Sequence, residues 1–306
     1  MSLRRKARAA AAETELWQRA QRAGRRYAVV GAVLGLLAGG LLFAPAQWLA
    51  DGLQQASNGR LLLAEARGSL WSGSAVLVLT GGPGSLDASA LPGRLAWQLR
   101  PHWQGLRLLA RQDCCLNGEL QLLLQPGWGG YTLVLGQPQP QPQPQPVAAG
   151  GKPAASLDAP LVAPLVGHWP AAWLAGLGTP WNTLQLGGVL QLSSTGFTVQ
   201  SVEGRVRLLG ALALELRGVS SRVSTLPTLG SYRLSLQGPG AAGEAAALQL
   251  LTLDGALRLS GSGQWAGAKL RFRGQAQAAE GQAPALQNLL NIIGRRQGAL
   301  SVISIG

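Results

Sequence analysis

Charge is scarce in this chain. Only 13% of its 306 residues are Asp, Glu, Lys or Arg, about half the usual ~25%. Acids are the rarer sign, 13 against 26 bases, for a net charge of +13. There are two histidines and two cysteines, and the cysteines are adjacent. That leaves little room for a His/Cys metal centre and argues against a zinc or haem protein. What is abundant is glycine, 43 residues in a chain that is 47% hydrophobic, about twice the usual ~7%. Such a composition is too apolar for wholesale disorder and unlike that of a helical cytosolic enzyme. At 31.7 kDa the chain is long enough for one large domain or two small ones.

Catalytic signatures are missing too. His102 stands before Trp103 and His168 before Trp169, with no acid or cysteine at metal-ligand spacing near either. There is no His-Glu-x-x-His and no Gly-x-Ser-x-Gly elbow, and Gly151-Lys152 lacks the upstream glycine of a phosphate loop. Gly261-Ser262-Gly263 reads as a turn in a β-rich stretch rather than a dinucleotide fingerprint. The sequence therefore predicts no enzyme, no cofactor and no metal.

The charge that exists is unevenly spread. Residues 1–26 hold eight bases and two acids, and the next 24 positions, Tyr27–Ala50, hold no charge at all. As a helix that run would reach ~36 Å, against a hydrocarbon core of ~30 Å. Tyr27 and Trp48 bracket it where an aromatic belt would lie. The positive-inside rule then keeps 1–26 in the cytoplasm and exports the remainder. A cleaved signal peptide is the competing reading, because Ala44-Pro45-Ala46 resembles a cleavage site. The long basic region and the length of the run favour a single-pass anchor over 27–50. Gly31, Gly35 and Gly39 repeat every four residues, a strip suited to close packing with a second membrane helix.

Beyond the anchor the hydrophobic period changes. Gln47–Ser57 predicts a short helix stopped at Asn58-Gly59. Leu95, Trp97 and Leu99 then alternate with Ala96, Gln98 and Arg100, and the same period of two recurs around 120–124, 212–216, 232–236 and 270–272. This predicts a mainly β body of antiparallel strands with one buried and one wet face, plus a few short helices. Five Gln-Pro pairs, Gln137–Pro146, open a linker or long loop over 137–153. It divides the exported part into β-rich halves, 51–136 and 154–306. Near the end Pro284, Leu286, Leu289, Leu290 and Ile293 follow a helical period, with Gly294 as a C′ stop and Ala299–Ile305 as a terminal strand.

Cys114-Cys115 would sit in an oxidising compartment. Their Cα atoms, about 3.8 Å apart across one peptide, are closer than the ~4.4–6.8 Å of ordinary disulfides. The expectation is a buried thiol pair or an intermolecular crosslink, with a redox switch as the sharper reading. Arginines 205, 207, 217, 222, 233, 258, 271 and 273 fall largely on polar strand faces. A solvated face is the default. Anionic lipid headgroups or an acidic protein fit such arginines, whereas an exported body does not meet nucleic acid.

Several short stretches resemble one family. These are Gly68-Ser69-Leu70-Trp71-Ser72-Gly73, then Leu95-Ala96-Trp97-Gln98-Leu99, then Gly178-Thr179-Pro180-Trp181-Asn182-Thr183-Leu184, and finally Ile293-Gly294-Arg295-Arg296-Gln297-Gly298 with Ser301–Gly306. Together they are similar to type II secretion system protein N. The resemblance implies a bitopic inner-membrane accessory subunit, acting by protein–protein binding with other secretion subunits, in the machine that moves folded proteins across the outer membrane. It carries no catalytic residues, so Gly68, Trp71, Gly73, Trp97, Pro180, Trp181, Asn182, Gly294 and Gly298 are expected to be structural. The long basic N-terminus and the Gln-Pro insert depart from the pattern. The alternative is an AsmA-like β-rich lipid-handling or envelope-maintenance protein. A solvent-open apolar groove would favour that alternative, and a closed core under a polar surface the secretion subunit.

Overall fold

The computed structural model describes residues 28–136, 164–203, 205–239, 245–266 and 269–305. The basic block 1–26 and the Gln-Pro stretch 137–153 lie outside the described residues. The chain forms two compact units, Met1–Pro45 and Ala46–Gly306.

In the first unit a helix, α1, occupies 28–42. Its apolar side chains, Leu36, Leu37 and Leu42 among them, are exposed. The uninterrupted 27–50 span expected from the sequence is not formed. The helix stops at 42, and among the described residues no helix is long and apolar enough to cross a membrane. Pro45 explains the break: it has no N–H to donate and it disfavours helix at the residue before it. Gly31, Gly35 and Gly39 lie on α1 with nothing within 4 Å of where a Cβ would stand.

The second unit starts with α2 (Gln47–Ala56), which ends through Asn58 and Gly59, both at positive φ. Strands β1 (Leu61–Gly68), β2 (Ser72–Thr80) and β3 (Ala88–Ala90) follow. Next come β4 (Leu95–His102), β5 (Gly105–Arg111), β6 (Glu119–Gly127) and β7 (Gly130–Leu135). After β8 (Leu165–Pro170) stand a 3-10 helix (Ala171–Leu177) and α3 (Trp181–Leu184). Two 17-residue strands, β9 (Leu186–Val202) and β10 (Arg205–Ser221), precede β11 (Gly230–Gln237) and β12 (Ala246–Asp254). The chain closes with β13 (Leu257–Ala266), β14 (Lys269–Ala278), α4 (Ala283–Ile293), β15 (Arg295–Gln297) and β16 (Leu300–Ile305). Among the described residues all sixteen strands join one antiparallel sheet, in the order β1-β2-β4-β5-β6-β7-β9-β10-β11-β12-β13-β14-β16-β15. β3 pairs with β2, and β8 with β9. The strands before and after the Gln-Pro stretch are joined in one sheet where β7 pairs with β9, Leu133 opposite Val199.

Opposed residues in an antiparallel ladder share a side, so the register traces one face from strand to strand. Leu99 faces Leu108, Leu108 faces Leu122, Leu122 faces Leu135 and Leu135 faces Phe197. A bulge in β9 resets the count, after which Leu212 faces Leu236 and Leu236 faces Leu248. This face is mostly apolar, with Ser194, Thr252 and Ser301 among its few hydroxyl side chains. The other carries Arg100 opposite Arg107, Gln200 opposite Arg207, Glu215 opposite Arg233, and Ser262 opposite Arg273. Gly261-Ser262-Gly263 is not the expected turn but lies inside β13, where the ring of Phe272 occupies the space a Cβ on Gly261 would need.

The apolar face is closed at two places. Beside β1 and β2, residues Ala46, Leu49 and Leu53 cover Leu63, Ala75 and Trp97. Toward the other edge, α4 buries Leu286, Leu289 and Leu290 against β14 and β16, with Leu184, Leu257 and Tyr232 in the same cluster. Each fully buried leucine is worth about 1.5–3 kcal/mol. Between these clusters, on β5–β7, Leu108, Leu122 and Leu135 stay half-buried.

The sheet curls toward its apolar side. β8 shares with β7 the same edge of β9, four places from β2 in the strand order. Four strand spacings amount to about 19 Å in a flat sheet. Yet from Pro170 the 3-10 helix, rising ~2 Å per residue, brings Gly176 onto the backbone of Leu79 in β2 after about 12 Å. A flat sheet would leave that gap open.

Gly73 and Gly52 provide a test of opposite sign. A Cβ on Gly73 would stand 2.5 Å from Trp97 Cζ2 and 2.6 Å from the Arg67 carbonyl. Gly73→Ala should therefore destabilise by about 1–3 kcal/mol. Gly52, inside α2 with open space beside it, should gain about 0.5–1 kcal/mol as Ala. Denaturant midpoints of the two variants would check both signs.

Candidate interaction surfaces

The motif residues fall into three groups rather than one site. The first is the hairpin joining β1 to β2. Gly68 sits at φ +93, and the N–H of Ser69 donates to the Ser72 carbonyl at 2.9 Å. Trp97 lies over Gly73 and donates from Nε1 to the Leu70 carbonyl at 3.2 Å, and the Leu99 N–H donates to the Trp71 carbonyl at 2.7 Å. The N–H of Ala46, the body's first residue, donates to the Gly68 carbonyl at 3.1 Å. Gly68, Trp71, Gly73 and Trp97 thus fix the place where the chain enters the body.

The second group, Gly178–Leu184, joins the halves. Asn182 Nδ2 donates to Asp87 Oδ2 at 3.0 Å, and Trp173 Nε1 donates to the Ser89 carbonyl at 3.0 Å. Pro180 follows a cis peptide and precedes α3, while Trp181 packs on the larger core cluster. Beside this seam is an open depression of about 650 Å³, lined by Asp87, Asn182, Gln185, Ser220 and Arg222 among others. Its lining offers hydrogen-bonding groups with a single carboxylate and no histidine or cysteine, which is no nucleophile–base pair.

The third group ends the chain. Gly294 does stop α4, but in extended conformation rather than as a left-handed C′ residue, because its backbone comes against Val302. Gly298 turns at φ +61 between β15 and β16.

Cys114 and Cys115 are bonded to each other. That corrects the expected thiol pair or intermolecular crosslink. The local reason is a turn between β5 and β6, in which the N–H groups of Cys115 and Leu116 both donate to the Gln112 carbonyl. The Cys115 carbonyl accepts from the His168 N–H at 2.7 Å, tying this turn to β8.

One cluster escaped the sequence reading. The period of two around 212–216 puts Glu215 on the wet face, yet its side chain is only 12% exposed. Arg217 Nε and Nη2 donate to Oε2 at 2.9 and 2.7 Å, and Arg233 Nε donates to Oε1 at 2.8 Å. Burial raises the Glu215 pKa, but the hydrogen bonds and charges of the two guanidinium groups outweigh it and leave the carboxyl below its ordinary value. The signal that could have found it is an acid between two leucines, two residues before an arginine.

An amphipathic, curled antiparallel sheet whose distinctive side chains secure turns and seams defines a mainly β body without a catalytic constellation among the described residues. Residues 59–302 match the family model for type II secretion system (T2SS), protein N, and the chain belongs to that family. The resemblance drawn from its motifs is thereby shown. No curated protein and no solved structure matches the chain.

A carboxyl held below its ordinary pKa contributes stability that is present above the unfolded-state value and is lost as pH falls through the folded-state value. Glu215→Gln should therefore cost about 1–2 kcal/mol at neutral pH, after discounting for the half-exposed arginines. The difference from wild type should close in acid. Urea midpoints of both proteins from pH 7 down to pH 3 would check it, and a gap constant with pH would point to packing instead.

Proposed function

We propose that this protein is a single-pass inner-membrane accessory subunit of the type II secretion system, acting by binding other secretion subunits. The observation that carries the reading is the family match over residues 59–302. The sequence before it adds topology. The uncharged run Tyr27–Ala44 before Pro45 has 18 residues, within the ~17–25 that span a bilayer. The basic block keeps the N-terminus cytoplasmic and the sheet body periplasmic. The glycine strip on α1 is the surface for a partner helix, and the Gln-Pro run is a linker between the halves.

Docking runs through the faces of the body rather than its strand edges. β1 is interrupted by a bulge where Glu65 stands at φ +51, clamped by Arg94 through Glu65 Oε2 and the Glu65 carbonyl. At the opposite end of the sheet β15 has three residues. Short or bulged edges pair poorly with a foreign strand.

A second reading keeps one specific support. The half-buried apolar strip on β5–β7 is the kind of surface on which an AsmA-like protein would handle lipid.

Deletion of the gene separates the two. Secreted enzymes retained in the periplasm behind an intact outer membrane are the expected result, measured in medium and periplasm. A permeable envelope with normal secretion would replace the first reading by the second. Reporter fusions after Ala50 should be active only where the reporter needs the periplasm, and a mature chain beginning at Gln47 would show signal cleavage instead.

A further inference from the structure

Strand directions place several turns at one end of the sheet. β4 runs antiparallel to β2 toward Ser72, so the 68–73 turn and the β4–β5 turn share that end, as do the β6–β7 and β9–β10 turns. Two of these turns carry a tryptophan at the tip. Trp103 is 84% exposed and Trp128 is fully exposed. Their hairpins are neighbours, joined by Gln125 Nε2 donating to Gln104 Oε1 at 3.3 Å. Leaving one indole in water is ordinary; leaving two on adjacent tips needs a reason.

The charge at this end is one-sided. Arg100 and Arg107 stand opposite each other on β4 and β5, a like-charge pairing that costs stability without an anion nearby. Neither has an ion-pair partner among the described residues, and Arg205 is in the same position beside the β9–β10 turn. Glu203 is the one carboxylate in these turns among the described residues. Ala46, the first residue of the body, lies at this end too, bonded to Gly68.

We propose that the hairpin tips bearing Trp103 and Trp128, with Arg100 and Arg107 behind them, rest on the surface of an anionic phospholipid bilayer. An indole has an apolar body and an N–H donor, which suits the boundary between acyl chains and headgroups. Guanidinium groups a few residues farther back are placed for lipid phosphates, which accept bidentate hydrogen bonds. A protein groove could also take two indoles, but the chain enters the body at this end from its apolar segment, and a membrane is what that segment brings near. The inference rests on the anchored reading of residues before Pro45 and adds which end of the body meets the lipid.

The test uses the full chain in nanodiscs of phosphatidylglycerol and phosphatidylcholine, with and without brominated acyl chains. The emission lost on making Trp103→Phe with Trp128→Phe isolates these two indoles from the other tryptophans. That difference spectrum should be shifted to shorter wavelength and largely quenched by brominated phosphatidylglycerol. Arg100→Glu with Arg107→Glu, both tryptophans kept, should return it to the spectrum of hydrated indole. A hydrated, unquenched difference spectrum in wild-type protein overturns the inference, whether the tips then face water or a protein. A chain that does not enter nanodiscs at all overturns the anchored reading instead, so the two failures are distinct.

Discussion

Pairing in the ladder is the constraint from which the body follows. Once β4 to β7 and β10 to β12 align so that leucines oppose leucines, most of the apolar side chains in those strands share one face. A sheet this wide cannot cover that face with helices it does not have. It curls instead, and the 3-10 helix after β8 bridges to β2 across the shortened gap. The remaining helices are placed by the same need: α2 closes the apolar side beside β1, and α4 closes it beside β14 and β16. Trp97 over Gly73 fills the corner where the curl is anchored, since a side chain on the glycine would push the ring out.

Much of this was legible in the sequence because it is local. The period of two around Leu95–Leu99 and Tyr232–Leu236 fixes strand and face together, and the Leu286–Ile293 period fixes a helix whose three central leucines are buried. The motif glycines and tryptophans pointed to the right family. What was not legible is non-local or depends on a single residue. Nothing in the chain announces that β7 pairs with β9 across the fifty residues from 136 to 185, or that β8 takes the vacant half of the same edge. Pro45 resembles part of a cleavage-like tripeptide, although its missing N–H bears more directly on where the helix stops. Ordinary disulfide spacing argues against a Cys114–Cys115 bond, but it does not apply to adjacent residues in a turn.

Glu215 shows why a strict in/out reading of strands misleads on a curved sheet. Its backbone position is on the polar side, but two arginine side chains fold over it from Arg217 and Arg233 and remove it from water. The carboxylate then neutralises one of those two charges. Most arginines on the same side, including Arg107, Arg207 and Arg271, have no such acid among the described residues. The polar face is therefore positive because carboxylates are few, as the 26 to 13 ratio of the whole chain requires.

That imbalance bears on how such a body can be recognised. Strand edges would offer a partner backbone hydrogen bonds, but the bulge at Glu65 bends one edge and β15 leaves little of the other. The sites left are the two faces and the turns. The inner face offers an apolar strip that is only half-covered, which rewards any apolar occupant without selecting among them. The outer face and the hairpin tips combine unpaired guanidinium groups with exposed indoles, and these discriminate: they favour an anion, and they favour one lying at a boundary between polar and apolar material. Under the proposed docking, selectivity would accordingly reside where the acids are absent, and the apolar interior would supply shape more than choice of partner.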